Sequence, residues 1–352
     1  MDEPTRRTIR QRVQTLFGDG VQGALTSVAS ATGMTDTARV ETTDYWRGAD
    51  LALYNTASAL NEGIARRVSA QTSVGAFTVG AFPAAPTAAD SYELSFLYTY
   101  AQYNNAISEA IRRARGLHWR PWQWDGLIPV AGTYEYDLPF RDDEGTITID
   151  AGGTTTTLVD AALTQAVDYW NGGRIVGRGG TAGNLGATRE VSDFSATLDT
   201  LTLAVALPST PVAADTYHLI RFQPSHIYAV EYLPSGSTTP VAVPLRNFEP
   251  IWRAKPMIRF DAGSLPPVSS TVRIYGLREP EPPAHDLDPI EAPEDYVVNF
   301  AYWQLLRSRP RRPELKLNED SKLKQEAWDT AWRALKKERL IRPPTAKRVV
   351  WG

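Results

Sequence analysis

Four histidines, His118, His218, His226 and His285, are the first residues to ask for chemistry, since imidazole serves as metal ligand, general base and proton shuttle. None has a second histidine or a carboxylate at a recognisable ligand spacing, so each reads as a structural histidine rather than a zinc ligand. The glycine-rich run 177–186 resembles a phosphate cradle at first sight. It lacks the Gly-Lys-Ser/Thr ending of a P-loop, and the residues after it, 187–191, read as strand rather than helix. A hairpin connection is the better expectation. Gly-x-Ser-x-Gly is absent, and a chain without cysteine has no thiol nucleophile, disulfide or thiolate metal site. The carboxylate pairs Asp142/Asp143 and Glu279/Glu281 sit in turns, with nothing to converge them on a reacting bond. The charged turn 141–145 lacks the alternating oxygen ligands of a calcium loop. The expectation is a non-enzyme with no catalytic residue, cofactor or metal.

Tryptophan and arginine come next, because they dominate protein–protein hot spots. Residues 118–124 read His-Trp-Arg-Pro-Trp-Gln-Trp. Trp122 and Trp124 are expected either to pack a helix onto a sheet or to anchor a subunit contact; no basic aromatic ladder continues from them to stack nucleic acid. Phe300, Trp303, Trp328 and Trp332 fall in two helical patterns. The first of these patterns is apolar on more than one narrow face, which suits a helix central in its fold or shared with a neighbouring subunit. These six aromatics are the candidate intersubunit residues. A second set, Arg342, Lys347, Arg348, Val350 and Trp351, is basic and apolar together and suits docking on a partner protein.

The elements that must position these residues are organised by an internal duplication. Residues 154–219 repeat 34–94 at a shift of about 124 residues. Asp44-Tyr45-Trp46 matches Asp168-Tyr169-Trp170, Gly63 and Arg66 match Gly186 and Arg189, and Pro83, Pro86, Asp90 and Tyr92 match Pro208, Pro211, Asp215 and Tyr217. Trp46 and Trp170 are expected to cover the bottom of each small sheet. Arg66 and Arg189 are expected to pair with Asp44 and Asp168, and Asp90 and Asp215 to bond local backbone in tight turns. Surface contact is an equal alternative for all of them, and a carbohydrate-binding module would use Trp46 and Trp170 as bare stacking platforms.

Helical spacing appears at 3–17, through Ile9, Val13, Leu16 and Phe17, and at 97–114, where Leu97, Ala101, Ile107, Ala110, Ile111 and Ala114 face inward. It returns at 294–309 and, through Leu323, Ala327, Trp328, Ala331, Trp332 and Leu335, at 319–340. The chain is thus divided into an N-terminal helix (1–20), a first β unit (21–96), a helix with an aromatic corner (97–125), a connecting strand (126–145), a second β unit (146–222), further strands (223–278), a Pro-rich extended connector (279–293), a helical hairpin (294–340) and a basic tail (341–352). The expected fold class is α+β: a helical bundle drawn from the N-terminal, middle and C-terminal helices, with two duplicated small β insertions.

The 352 residues carry a net charge of −3, with 42% hydrophobic and 22% charged residues, an ordinary composition for two or three globular domains. From Ala301 onward Lys and Arg outnumber Asp and Glu about two to one, leaving the remainder acidic, a pattern suited to docking by charge complementarity. No apolar run approaches the length of roughly 18 residues that a spanning helix needs, and the N-terminus is unlike a signal peptide.

The segments 168–173, 180–183, 189–191 and 214–217 resemble a small β module of tailed-bacteriophage structural proteins, and the surrounding plan resembles the head-to-tail connector, or portal adaptor, family. The resemblance implies a ring, typically of twelve subunits, that binds the portal, carries tail or neck proteins and lines a channel through which genomic DNA passes without sequence-specific binding. It implies a place at the head–tail junction of a virion, assembled in the host cytoplasm, with 342–352 reaching the portal. Another tail, collar or baseplate role is the alternative within the same class.

Overall fold

Short alternating stretches dominate the chain, and strands outnumber helices. In a computed structural model, residues 3–337 are described apart from 55, 57, 59, 128, 139–143, 166, 223, 253–255, 269 and 309–316. The chain divides into two compact units, one made of Glu3–Ala114 with Glu281–Glu338, the other of Arg115–Pro280.

The first unit opens with α1 (Arg6–Phe17), capped by Thr5, whose hydroxyl accepts the Thr8 amide at 3.3 Å, and closed by Gly18 at φ 62°. Strands β1 (Val21–Ala24), β2 (Ser27–Val28), β3 (Gly33–Thr35), β4 (Asp50–Tyr54), β5 (Ala65–Gln71), β6 (Ala76–Val79) and β7 (Ser91–Ser95) follow. They form one sheet ordered β1-β7-β4-β5-β6-β3-β2, its register shifting at Val68/Ala70 where β5 pairs with β6. Helix α2 (Tyr100–Ala114) begins with a reciprocal cap: the Gln102 amide donates to the Thr99 hydroxyl at 3.2 Å and the Thr99 amide to the Gln102 side chain at 2.8 Å. The unit is completed by α3 (Glu294–Ser308) and α4 (Leu317–Lys337). The buried face of α1 is Ile9, Arg10, Val13 and Gln14, while Leu16 stays exposed; Leu97 precedes α2 and is also exposed.

The second unit contains β8 (Arg120–Leu127), β9 (Glu135–Asp137), β10 (Glu144–Thr148), β11 (Thr157–Val159), β12 (Arg174–Gly179), β13 (Thr188–Ser195), β14 (Thr200–Leu203), β15 (Thr216–Ile220), β16 (His226–Leu233), β17 (Val241–Val243), β18 (Phe248–Ile251), β19 (Met257–Phe260) and β20 (Thr271–Arg278). These make a six-stranded sheet β10-β15-β12-β13-β14-β11, a four-stranded sheet β17-β16-β20-β8 and a three-stranded sheet β18-β19-β9.

The molecule is therefore a mixed α+β fold resting on four sheets, with only four α-helices among the described residues. This corrects both the expected helical bundle with minor β insertions and the helix-dominated connector architecture that the resemblance implied. The cause is visible in the sheets. The strands of 223–278, expected only as short pieces, pair with β8 and β9 into two further sheets, and the bulk of the apolar burial lies between strands.

The duplication holds at the level of single hydrogen bonds. Matching β1, β7, β4, β5, β6 and β3 to β10, β15, β12, β13, β14 and β11 gives the same strand order, with β2 an extra edge strand in the first copy. The register shift at Val68/Ala70 recurs at Val191/Asp193. Asp44 and Asp168 share a left-handed backbone (φ 63° and 62°), as do Ala89 and Ala214 (φ 76° and 73°). Asp90 accepts the Thr87 amide at 2.9 Å and Asp215 the Val212 amide at 3.1 Å, the local turns expected of them. Arg66 and Arg189 do not reach across to Asp44 and Asp168; their Nε atoms each donate at 2.7 Å to a backbone carbonyl, of Ala81 and Ala206. The run 177–186 is a hairpin between β12 and β13. A side chain at Gly177 would meet the Asn184 carbonyl oxygen at 1.9 Å, so the close approach requires glycine.

The Pro-rich stretch is not a free connector. The Asp286 and Asp288 carbonyls accept the Arg7 and Arg6 amides at 3.0 and 2.9 Å, and the Ile290 amide donates to the Pro4 carbonyl at 2.7 Å. Asp286 is buried against Arg10, itself fully buried. Both Arg10 Nη atoms donate to the Asp286 carboxylate, at 2.8 and 2.6 Å. Its Nε donates to Glu93, Nη1 also reaches Asn104 at 2.8 Å, and the Tyr100 ring lies 4.3 Å from the guanidinium. Burial alone pushes the Asp286 carboxyl up, but Arg10 and Arg6 outweigh it and hold it at about 2.

Arg10→Met leaves two buried carboxylates facing one another across an apolar side chain and is expected to cost about 3–5 kcal/mol in chemical denaturation of the full chain. Folded Asp286 keeps its charge further into acid than an unfolded aspartate, whose ordinary value is about 3.9. Its contribution is complete above that ordinary value and is lost as pH falls through about 2, so the wild-type advantage over Arg10→Met shrinks in acid unfolding curves. A second pair of substitutions follows from the duplication. Asn61 and Asn184, both buried, each bridge a turn by donating to one carbonyl (Ala84, Ser209) and accepting the amide of the same residue, all at 3.0–3.1 Å. Asn61→Ala and Asn184→Ala are each expected to lower stability by about 1–3 kcal/mol in thermal unfolding.

Candidate functional site

Helix α3 is central to the first unit. Its first turn carries Glu294 and Asp295, favourable at the positive end of the helix dipole, and Arg12 of α1 pairs with both. Residues on opposite sides of the helix are buried: Tyr296, Val297, Val298, Phe300, Ala301, Leu305 and Leu306. The Tyr296 hydroxyl donates to the Ala110 carbonyl of α2 at 3.0 Å, and the Tyr98 hydroxyl, just before α2, to the Leu305 carbonyl at 2.7 Å, so α2 and α3 run antiparallel. Of the two roles the sequence left open for this helix, its surroundings within one chain already supply the central one.

Among the described residues, one flank of α3 is left uncovered. There α2 and α4 form the walls, and α3 the floor, of a groove of about 660 Å³ lined by Phe300, Trp303, Arg307, Trp328, Trp332 and Arg113, with Glu109 at its edge. Ring centroids of Trp303 and Trp328 are 4.4 Å apart, Phe300 lies 5.2 Å from Trp303, and Trp328 lies 5.3 Å from Trp332. The three tryptophans are only half-buried. The Arg307 guanidinium lies 4.7 Å from the Trp303 ring, one helical turn away on the same face. Glu109 holds Arg112 and Arg113 at 3.0 and 2.9 Å, and those two ion pairs lower its carboxyl against the opposing effect of burial. The arrangement offers an apolar floor of rings inclined to one another by 45–67°, with guanidinium groups on the rim, suited to an apolar side chain flanked by negative charge.

The structure thus brings together four of the six aromatics proposed for subunit contact and separates the other two. Trp122 and Trp124 are 5% exposed and belong to the core of the second unit, where the Trp122 indole donates to the Phe222 carbonyl at 3.1 Å. Their alternation on β8 turns both inward. Arg342, Lys347, Arg348, Val350 and Trp351 lie outside the described residues. Sequence reasoning missed Arg307 and Arg113 as rim residues, although the four-residue step from Trp303 to Arg307 was there to be read. Trp46 and Trp170 are 6% and 5% exposed, so neither is the bare platform that a carbohydrate site would need.

Among the described residues no group of three or more His, Asp or Glu could hold a metal ion, and no helix is long and apolar enough to cross a membrane. Compared with family models, curated proteins and solved structures, the chain matches none.

An anionic apolar dye such as 1-anilinonaphthalene-8-sulfonate has the chemistry the groove accepts. The folded chain is expected to enhance its fluorescence, and Trp303→Ala or Arg307→Glu to reduce that enhancement by more than about half while circular dichroism is unchanged.

Proposed function

We propose that this chain is a non-enzymatic structural protein of a virion, one that assembles into a ring at the head–tail junction, joins portal to tail and lines the channel through which DNA passes. The observation that carries the assembly part is the aromatic groove left open among the described residues: half-buried tryptophans on a floor flanked by arginine are the composition of an interface centre rather than of a solvated surface. The virion part rests on the resemblance of the duplicated β module, not on the helices, whose share of the fold is smaller than a helical connector would have. The chain carries two copies of one module, and a ring subunit must contact two neighbours at once. An acidic body would pass DNA without gripping it, since tight binding to phosphates needs clustered cations. In this reading portal, tail or neck proteins are the partners, and 342–352 is the docking segment.

Native mass spectrometry of the full chain, alone and with the matching portal, tests the reading. A closed ring of about twelve copies, free or on the portal, is the expected result, and deleting 342–352 should weaken capture by the portal. Trimers or hexamers indifferent to the portal would move the chain to a tail or baseplate role.

A further inference from the structure

The two copies of the β module differ in charge at one matched corner. In each, the turn that precedes β4 or β12 starts from a left-handed aspartate, Asp44 or Asp168, whose amide donates to the strand alongside, to the Gln71 or Phe194 carbonyl at 2.8 and 3.0 Å. The glycine four residues on donates to the same strand, Gly48 to Val68 at 2.8 Å and Gly172 to Val191 at 2.9 Å. The hydrogen-bonding frames match, and the side chains do not. In the first copy Arg47 pairs with Asp44 at 3.6 Å, the Arg67 guanidinium lies beside Gly48, and the residue past the register shift is Ala70. In the second copy these positions hold Asn171, Glu190 and Asp193. One arginine is replaced by an amide, the other by a carboxylate, and the alanine by a second carboxylate.

Asn171 shows what the exchange leaves open. It is 4% exposed, and its Nδ2 donates to Asp168 Oδ1 at 3.1 Å, which aims the amide at the carboxyl groups. Its Oδ1, on the same planar group, is buried and has no hydrogen-bond partner. A buried amide oxygen normally has a partner, whether protein, water or ion. Asp168 and Asp193 meet directly: burial and then the hydrogen-bonded Asp193 raise the Asp168 carboxyl to about 6, and Asp125 on β8 adds to the rise. The surrounding charges are engaged elsewhere. Arg174 and Arg278 oppose the rise that burial gives Glu190, and Arg273 lies in the field of Asp125 and Glu231. Arg221, standing where the first copy has the exposed Phe96, is held 3.9 Å from the Tyr169 ring and 5.9 Å from the Trp124 ring. Strand β8 closes over the turn, since a side chain at Gly172 would meet the Gln123 carbonyl oxygen at 2.2 Å.

We propose that this corner of the second copy binds a divalent cation of the calcium type through the Asp168 and Asp193 carboxylates and the Asn171 amide oxygen, and that the ion neutralises Asp168 as Arg47 neutralises Asp44. Oxygen ligands without imidazole or thiolate select a hard cation. The corner is half-open, so water fills the remaining positions. That suits calcium, which accepts irregular shells of about six to eight oxygens, better than magnesium, which demands near-ideal octahedral geometry. Two carboxylates are fewer than the three acidic or histidine ligands of a closed site, and binding is expected at the weak end, with a dissociation constant of about 10⁻⁴–10⁻³ M. The ion ties the turn before β12 to β13 beneath β8. The inference goes beyond the ring reading and does not depend on it.

Scanning calorimetry of the full chain tests it, in chelator, in calcium chloride at about 5 mM, and in sodium chloride of the same ionic strength. Calcium is expected to raise the melting temperature by a few degrees beyond the sodium chloride control. Asp193→Ala, which installs the residue of the first copy, and Asp168→Asn are each expected to remove that rise and to weaken calcium binding more than about tenfold in isothermal titration. Circular dichroism confirms that each variant is folded; where Asp193→Ala is not, Asp193→Asn replaces it. Equal melting temperatures in calcium and sodium chloride would overturn the site, as would a calcium effect that survives in either variant. A magnesium effect as large as that of calcium would mark diffuse screening of the acidic surface and would overturn it too.

Discussion

A single buried guanidinium fixes the first unit. From α1, Arg10 draws its partners from three separate parts of the chain: Glu93 on the last strand of the β sheet, Asn104 and Tyr100 on α2, and Asp286 on the Pro-rich strap. A charge removed from water must be matched in place, and a planar guanidinium can be matched only from fixed directions. The sheet, the helices and the strap are therefore not free to slide past one another. Arg6 adds a second cation to the same Asp286, so two carboxylates and two guanidiniums close the cluster nearly neutral.

That constraint has a consequence at the surface. With β7 tied to α1 through Glu93 and the turn after it held by Asp19, the apolar residues that follow β7 cannot fold inward. They stay presented beside α2. The second module shows what the same framework does when a neighbouring strand is available: the equivalent face is covered, and a cation stacked between aromatic rings replaces the bare phenylalanine. Duplication here conserved the hydrogen-bonding skeleton down to the Asn61 and Asn184 bridges, while the outward face changed with its surroundings.

The groove follows from α3 being apolar on two sides. One side is satisfied by α1 and α2 within the chain; the other receives α4 over part of its width, leaving a strip of aromatic floor. Burying indole rings is worth enough that a strip of this kind on a free surface favours association, and the arginines on its rim choose what may associate.

The sequence by itself determined the duplication, the turns at Asp90 and Asp215, the hairpin at 177–186, and the four helices. Each of these depends on residues close in the chain or on a repeat visible in its spacing. It also brought Phe300, Trp303, Trp328 and Trp332 into view, because helical periodicity is a local property. It did not determine the balance between sheet and helix, since short strands declare themselves only when a distant partner completes their hydrogen bonds. Nor could it tell Trp122 and Trp124 from surface anchors: their alternation on a strand marks one face, and only the neighbouring sheet decides that the face is inside. Arg10 is the clearest case. Flanked by apolar Ile9 and Val13 it reads as a charged residue at the edge of an amphipathic stripe, and its partner Asp286 is 276 residues away. Charge burial is settled by which groups meet in space, and that meeting exists only in the tertiary structure.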